Sequence, residues 1–347
     1  MAELVTRGPP TRTAERFEFF SNIARHVICD HDIDDRRWFI VYDGSAELPT
    51  LDRECVVFIY GDERSLLPWR YRDAGLILKS MGYSPYRTET WRPEFSSALD
   101  QVRIVRNRAL NARIRRRLGD AAHADLVGRT LPFPLGYAKQ PEVSFKPLDE
   151  RRHLLWYSGS FRNVGGPALA LMRRLADEPK FAARRKMIAS LLRLKAAHPT
   201  WPIDVAPLPT YADTLKAPPG YADSMMDTKI APVPRGTTPE THRFFEAMRA
   251  GCVVIGEPLP DFWFYRSAPY LRLSSWEALP ALVEELMADP ERMQTLHEAS
   301  RRWWCRVCSP EALAATVAGI LRGTDTVEAV KARSAAVSVG APPGTGR

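Results

Sequence analysis

The sequence predicts an α/β protein of two domains, each a parallel sheet with flanking helices. Two observations carry this. A chain of 347 residues is long enough to bury two cores, and 45% apolar with 26% charged residues is an ordinary globular balance. Residues 229–256 then read as strand, loop, helix, strand, which is a βαβ unit. Ile230 to Val233 is the first strand and Arg235-Gly236 turns the chain. A helix follows, and Cys252-Val253-Val254-Ile255 is a short apolar strand of the kind buried in a parallel sheet.

Two caps compete for the start of that helix. Thr238 as N-cap puts Pro239 at the first helical position, whereas Thr237 as N-cap places Glu240 for a capping box. At 100° per residue, Phe244, Phe245, Ala247 and Met248 share one face, while His242, Arg243, Glu246 and Arg249 fall opposite. Gly251 ends the helix as a C′ residue would. A helix start preceded by Arg-Gly suits an anion, because free N–H groups and the positive end of the dipole point at it. Arg243 and Glu246 lie one turn apart, so a cation for a diphosphate and a carboxylate for sugar hydroxyls could come from one helix. The plainer reading is a surface ion pair, which is common and weak.

Pro234-Arg235-Gly236-Thr237-x-Pro239, then Arg243, Glu246-Ala247 and Gly251-Cys252 with an apolar strand after it, resembles the nucleotide-sugar-binding segment of exostosin-like glycosyltransferases. The likeness covers roughly 25 residues; elsewhere only the general rhythm of the fold agrees. It implies a GT-B fold, two Rossmann-like domains facing a cleft, with this segment in the C-terminal donor domain. It also implies that Arg235 and Arg243 face the donor diphosphate and that Glu246 holds ribose or sugar hydroxyls, with Gly236, Thr237 and Thr238 lining the same loop. GT-B enzymes as a class need no metal, so neither metal nor cofactor is expected.

No run of 18 apolar residues and no apolar stretch near Met1 appears, so the chain is expected in the cytosol. In this it departs from the membrane-anchored animal exostosins and looks more like a bacterial relative. Cys29, Cys55, Cys252, Cys305 and Cys308 are odd in number and suit reduced thiols. Cys305-x-x-Cys308 lacks the two further ligands that zinc requires. Residues 1–150 hold 23 basic against 22 acidic side chains and the rest 26 against 19, so most of the +8 lies in the proposed donor half.

In chain order, Phe17, Phe20, Ile23, Ala24 and Val27 recur at helical spacing. Asp30 to Asp35 is an acidic knot before the strand Trp38 to Tyr42. A metal-dependent GT-A enzyme would use Asp-x-Asp, but after a strand rather than before the first one, so a solvated loop is the preferred reading. Glu54 to Tyr60 is the strongest strand of the first half. Asp62 and Glu63 follow its carboxyl end, where an inverting transferase keeps its general base, and Asp43 is similarly placed; turn capping is the alternative. Ala74 to Lys79 is strand or helix. Between Gln101 and Leu118 seven arginines alternate with Val102, Val105, Leu110 and Ile114, giving a helix with a basic side. Such a helix rests on anionic lipid, accepts an acidic glycan, or is simply solvated. Thr130 to Tyr137 is extended by its prolines and leads to the hinge.

The domains are therefore set at 1–145, acceptor side, and 146–322, nucleotide-sugar side, with 323–347 expected to be a disordered tail. The second opens with His153 to Ser160, a strand into a small-residue turn, which brings Gly159, Ser160 and Arg162 to the cleft; a plain βα turn is the alternative. Helical periodicity spans Pro167 to Ala197, Pro202 to Ala206 is a strand, and Tyr211 to Leu215 and Tyr221 to Thr228 are short helices. Pro269 to Leu273 is a last strand. Trp276 to Met287, Pro290 to Arg306 and Pro310 to Leu321 are helices, and the GT-B plan that the resemblance implies has the last cross back onto the first domain.

The function expected is transfer of a sugar from a nucleotide-diphosphate sugar to a glycan or glycoconjugate hydroxyl. Arg243 would stabilise the leaving diphosphate, Asp62 or Glu63 would be the base, and the enzyme would be cytoplasmic or peripheral at the inner membrane face. Rival readings are a non-enzymatic protein binding nucleic acid or another polyanion, the GT-A enzyme built on Asp30–Asp35, and a degenerate GT-B domain that binds sugars without turnover. No aromatic RNA-binding signature or zinc-finger spacing appears, so no nucleic acid is expected.

Overall fold

The computed structural model describes residues 4–7, 17–61, 65–82, 98–138, 144–162, 179–210 and 220–333. Two five-stranded sheets organise them, and every strand pairing is parallel. The first has the order β1-β2-β3-β4-β5, from β1 (Leu4–Arg7), β2 (Arg37–Val41), β3 (Cys55–Ile59), β4 (Leu76–Lys79) and β5 (Thr130–Pro132). β3 and β4 are apolar along nearly their whole length because both faces are covered. Trp38, Ile40, Phe58 and Leu78 face α1 (Glu18–His31), which presents Phe20, Ile23, Ala24 and Val27. Phe39, Val41, Val57, Ile59 and Ile77 face the other way, toward Leu126.

Two helices join β4 to β5: α2 (Ala98–Leu118), which carries the arginines, and α3 (Asp120–Gly128), which carries Leu126. α2 has the expected basic side, and Ile114 and Leu118 pack on the core beneath the first sheet. Val102 and Val105 are 64% and 65% exposed. The inner side holds Asn107, buried, and Asn111, which accepts from Leu67 N at 2.9 Å and donates to Ser65 O at 3.3 Å. Backbone groups outside the ladder needed partners, and amides supplied them.

The second sheet has the order β10-β9-β8-β6-β7. Its strands are β6 (His153–Arg162), β7 (Ile203–Thr210), β8 (Thr228–Val233), β9 (Val253–Gly256) and β10 (Leu271–Arg272). β6, first in the chain, is interior: β7 pairs on one side and β8 on the other. The order of connection therefore reverses between β6 and β8, the switch point of a doubly wound sheet. α4 (Pro179–Ala197) packs over one face with Met187, Leu191 and Leu194. α5 (Tyr221–Met226) and α6 (His242–Arg249) lie over the other. α7 (Leu279–Ala288) and α8 (Pro290–Trp303) follow, and a π turn at Trp304–Cys308 leads to α9 (Pro310–Leu321).

As expected, α9 crosses back and packs on α1, where His26 Nε2 lies 3.4 Å from Glu311. One continuous core joins the two sheets: Phe19 and Phe58 belong to it, as do Phe244, Val254 and Trp304. The expected disordered tail is corrected in part. Residues 327–332 form α10 (Val327–Ala332), capped by Thr326, with Val327 and Val330 buried and Lys331 Nζ 2.8 Å from Val127 O. Two valines three residues apart suffice for one buried stripe on a short helix. Residues 334–347 lie outside the described part, as do Tyr211 to Leu215 and residues 163–178.

The carboxyl ends of the two sheets face each other. Tyr60 follows β3, Gly136 lies beyond β5, and both bond to His242 at the start of α6. Trp263 Nε1 donates to Pro132 O at 2.8 Å. Two Rossmann-like domains meeting across their strand ends is the GT-B arrangement.

Candidate functional site

The switch point brings the ends of β6 and β8 together, and the helix after β8 begins there. β8 ends at Val233, and 234–241 form a loop before α6. The helix starts later than either expected cap: Thr241 is the N-cap, its Oγ1 accepting from Arg243 N at 3.3 Å. The capping box fails because Glu240 turns inward. It is 2% exposed, with Tyr265 Oη donating to its Oε1 at 3.2 Å and its Oε2 without a partner. Thr238, also buried, donates to Glu240 O at 3.4 Å and holds the loop. Burial raises the Glu240 pKa to about 8, with Tyr265 and the cation of Lys79 opposing the rise. Lys79 is itself fully buried at the end of β4, its Nζ 2.6 Å from Gly82 O.

Arg235 is buried, its Nη2 donating to Thr237 O at 3.3 Å and its backbone N to Glu257 Oε1 at 3.4 Å. Trp276 Nε1 fixes the same carboxylate oxygen at 2.8 Å. Gly236 and Thr237 remain partly exposed.

Arg243 sits in an aromatic cage. Its guanidinium carbon is 4.6 Å from the Tyr157 ring centroid, 5.6 Å from Tyr221 and 5.8 Å from Trp156. Nη2 donates to Ser158 O, and among the described residues the buried Nη1 has no partner. A buried N–H of a charged group lacking a partner is costly, and a bound anion would supply one. Gly159 is needed for this approach, since a Cβ there would lie 2.9 Å from Tyr157 Oη and 3.4 Å from Arg243 Nη2.

The surface ion-pair reading of Arg243 and Glu246 is corrected. Glu246 is 6% exposed and instead accepts from Tyr221 Oη at 2.9 Å and Ala138 N at 3.4 Å. The i, i+3 spacing set them on one side of the helix, but the hydroxyl of Tyr221 intervened. Tyr221, Trp156 and Tyr157 were not singled out as site residues; the only signal was their position beside the expected cleft elements. His242 was missed as well. Its Nδ1 lies 2.8 Å from Gly136 O and, in the neutral ring, carries the proton, so that Nε2 accepts from Tyr60 Oη at 2.7 Å.

Ser160 is engaged elsewhere: Arg184 Nη1 donates to its Oγ at 3.0 Å and to its carbonyl oxygen at 2.5 Å. Arg162 ends β6 opposite Thr210. Asp62 and Glu63 lie outside the described residues; Gly61, just before them, stands beyond β3 against the Tyr42 ring. Asp43 accepts from Ser45 N at 2.8 Å, which is turn capping. The acidic knot Asp30–Asp35 lies at the amino end of β2, away from the facing strand ends, and Asp30 pairs with His26 at 2.6 Å. Among the described residues no group of three or more His, Cys, Asp or Glu side chains is placed to hold a metal ion.

No protein-family model matches the chain, and no curated protein matches it in sequence. Solved structures resemble it in shape. HepE of Anabaena, in complex with UDP and glucose, has 10% identity and a TM-score of 0.41 over 92% of this chain and 98% of that one. The glycotransferase of kitacinnamycin has 12% identity and a TM-score of 0.43, over 91% and 97%. TarM of S. aureus, in complex with fondaparinux, α-GlcNAc-glycerol and UDP, has 9% identity and a TM-score of 0.41; the alignment covers 77% of this chain and 55% of TarM, about half its length.

Proposed function

We propose that this protein is a metal-independent, exostosin-like glycosyltransferase that moves a sugar from a nucleotide-diphosphate donor to a hydroxyl of a glycan or glycoconjugate. The observation that carries the reading is Arg243: a caged guanidinium at the switch point, one buried N–H unpartnered, on the first turn of a helix whose N-terminus opens on the interdomain cleft. In this reading Arg243, Arg235 and the loop Gly236-Thr237-Thr238 take the diphosphate, and Gly159, Ser160 and Arg162 line the donor side. Charge developing on the leaving diphosphate is stabilised electrostatically, an effect of roughly several kcal/mol in a closed, dry cleft. Glu246 accepts from ribose or sugar hydroxyls, positioned by Tyr221. Asp62 or Glu63 removes the acceptor proton if the enzyme inverts.

The enzyme works on the cytoplasmic side, touching the inner membrane face through α2. The five free cysteines suit a reducing compartment, and the exposed Arg106, Arg108, Arg113, Arg115, Arg116 and Arg117 beside exposed Val102 and Val105 suit an anionic surface. Among the described residues no helix is long and apolar enough to cross a membrane. Sugar transfer from a panel of nucleotide sugars tests the reading. Arg243→Ala is expected to abolish turnover while leaving the fold intact, and near-wild-type turnover in that variant contradicts it.

A further inference from the structure

At the other end of α6 from Arg243, a cavity of about 450 Å³ opens beside Gly251. The two ends of this eight-residue helix are about 12 Å apart at 1.5 Å per residue. His297 Nδ1 anchors the cavity floor, bonded to Gly251 O at 2.5 Å, and the Phe145 ring stacks on the imidazole at 5.5 Å. Two guanidiniums sit against Phe145: Arg301 at 3.4 Å from the ring centroid and the buried Arg151 at 5.6 Å. Arg151 is satisfied by the carbonyl oxygens of Lys146, Thr228 and Ala250, which fill its donors without cancelling its charge.

The opposite wall comes from the π turn. Ser309 N reaches back to Trp304 O at 2.7 Å, and the widened turn sets Cys305 and Arg306 on the cavity. Charge there is net positive, with Arg301, Arg302 and Arg306 against Glu298. Glu298 is occupied, accepting from Arg302 at 3.2 Å and from Gln294 at 3.0 Å. Among the described residues, the side chains of Arg301 and Arg306 have neither a carboxylate partner nor a hydrogen bond. Cations near a helix C-terminus are favourable without any ligand. That does not account for Arg306, which lies beyond α8, or for Arg301, whose guanidinium lies over the Phe145 ring rather than on the last carbonyls. The field also acts on His297, which burial, then Arg151 and Arg301, hold toward the neutral form.

We propose that this cavity is a second anion site, outside the interdomain cleft, that binds a phosphate-bearing small molecule through Arg301 and Arg306. Its volume falls in the range of small-molecule sites, and guanidinium forks match phosphate oxygens. The proposal stands apart from the reading of the cleft, whose diphosphate is held at the opposite end of α6.

Cys305 gives the site its own reporter. It is exposed and lines the cavity; Cys29 is exposed on α1, and the other three thiols are buried. The full-length protein is alkylated with iodoacetamide, with and without pyrophosphate at constant ionic strength, and each cysteine is followed by mass spectrometry. Pyrophosphate is expected to slow Cys305 several-fold and leave Cys29 unchanged. Protection should persist in Arg243→Ala and vanish in the double variant Arg301→Gln/Arg306→Gln, whose surface positions leave the fold intact. Phosphatidic acid vesicles present the same group from a lipid. Cys305-selective protection by either probe supports the site and names its source. Equal rates at Cys305 with and without both probes overturn it, as does protection that survives the double variant.

Discussion

Arg243 acts as more than a surface cation because of what surrounds it. Three aromatic rings and the Ser158 carbonyl fix the guanidinium while one buried N–H waits for an acceptor. Tyr221 is the joint between this cation and Glu246. Tyr221→Phe removes one hydrogen bond to a carboxylate, a loss of about 1.5–3 kcal/mol. It should lower the melting temperature by a few degrees and weaken nucleotide-sugar binding about tenfold in calorimetric titration. Glu240 gives a pH signature. Its carboxyl is raised to about 8 in the fold, above its ordinary 4.5, so the folded state holds an extra proton between these values. The contribution is present below about pH 4.5 and lost as pH rises through about 8. Glu240→Gln keeps an acceptor for Tyr265 and cannot ionise; melting curves from pH 5 to 8 should show a flatter decline in the variant than in wild type. The motif pointed to Arg235, Arg243 and Glu246 in sequence, and the structure gathers Arg243 and Glu246 around Tyr221. The aromatic cage and Glu240 were not legible there, because Trp156, Tyr221 and Tyr265 meet the motif from three other parts of the chain.

At the scale of elements, buried parallel strands announce themselves as apolar runs, so Cys55 to Ile59 and Val253 to Ile255 were readable directly. The start of α6 was not: two threonines before Pro239 carried the usual cap signals, yet Thr241 won because Glu240 is drawn under Tyr265. α2 misled in another way. Of the apolar residues alternating with its arginines, Ile114 packs on the core beside Asn107 and Asn111, whereas Val102 and Val105 face out with the arginines. In the proposed function that exposed basic face meets an anionic membrane surface. Arg113→Ser/Arg116→Ser/Arg117→Ser is therefore expected to lower binding to phosphatidylglycerol vesicles at least tenfold without changing the melting temperature. Unchanged sedimentation with vesicles would remove α2 from the membrane account, and competition by RNA at low salt would favour the nucleic-acid rival.

Across the whole molecule, the domains share one core rather than a loose hinge. α9 lies on α1, Trp304 packs near Phe19 at 6.3 Å, and α10 reaches back to the first domain through Lys331. Calorimetry should therefore give a single cooperative unfolding transition; two separated transitions would show that the shared core does not couple the sheets. Two domains could be read from length and pattern, and the return of α9 followed from the resemblance to the GT-B plan. The buried turn at Val327–Ala332 could not, since two valines among small residues carry too little apolar mass to stand out. The facing strand ends leave a cleft with the switch point on one wall, and the functional account rests on what that cleft binds. Calorimetric titration of the wild-type protein and Arg243→Ala with a panel of nucleotide diphosphates and their sugars tests this most directly. The account predicts saturable binding of at least one nucleotide by the wild type and its loss in Arg243→Ala. Equal affinity in the two proteins, or no binding by the wild type of any nucleotide in the panel, would contradict it.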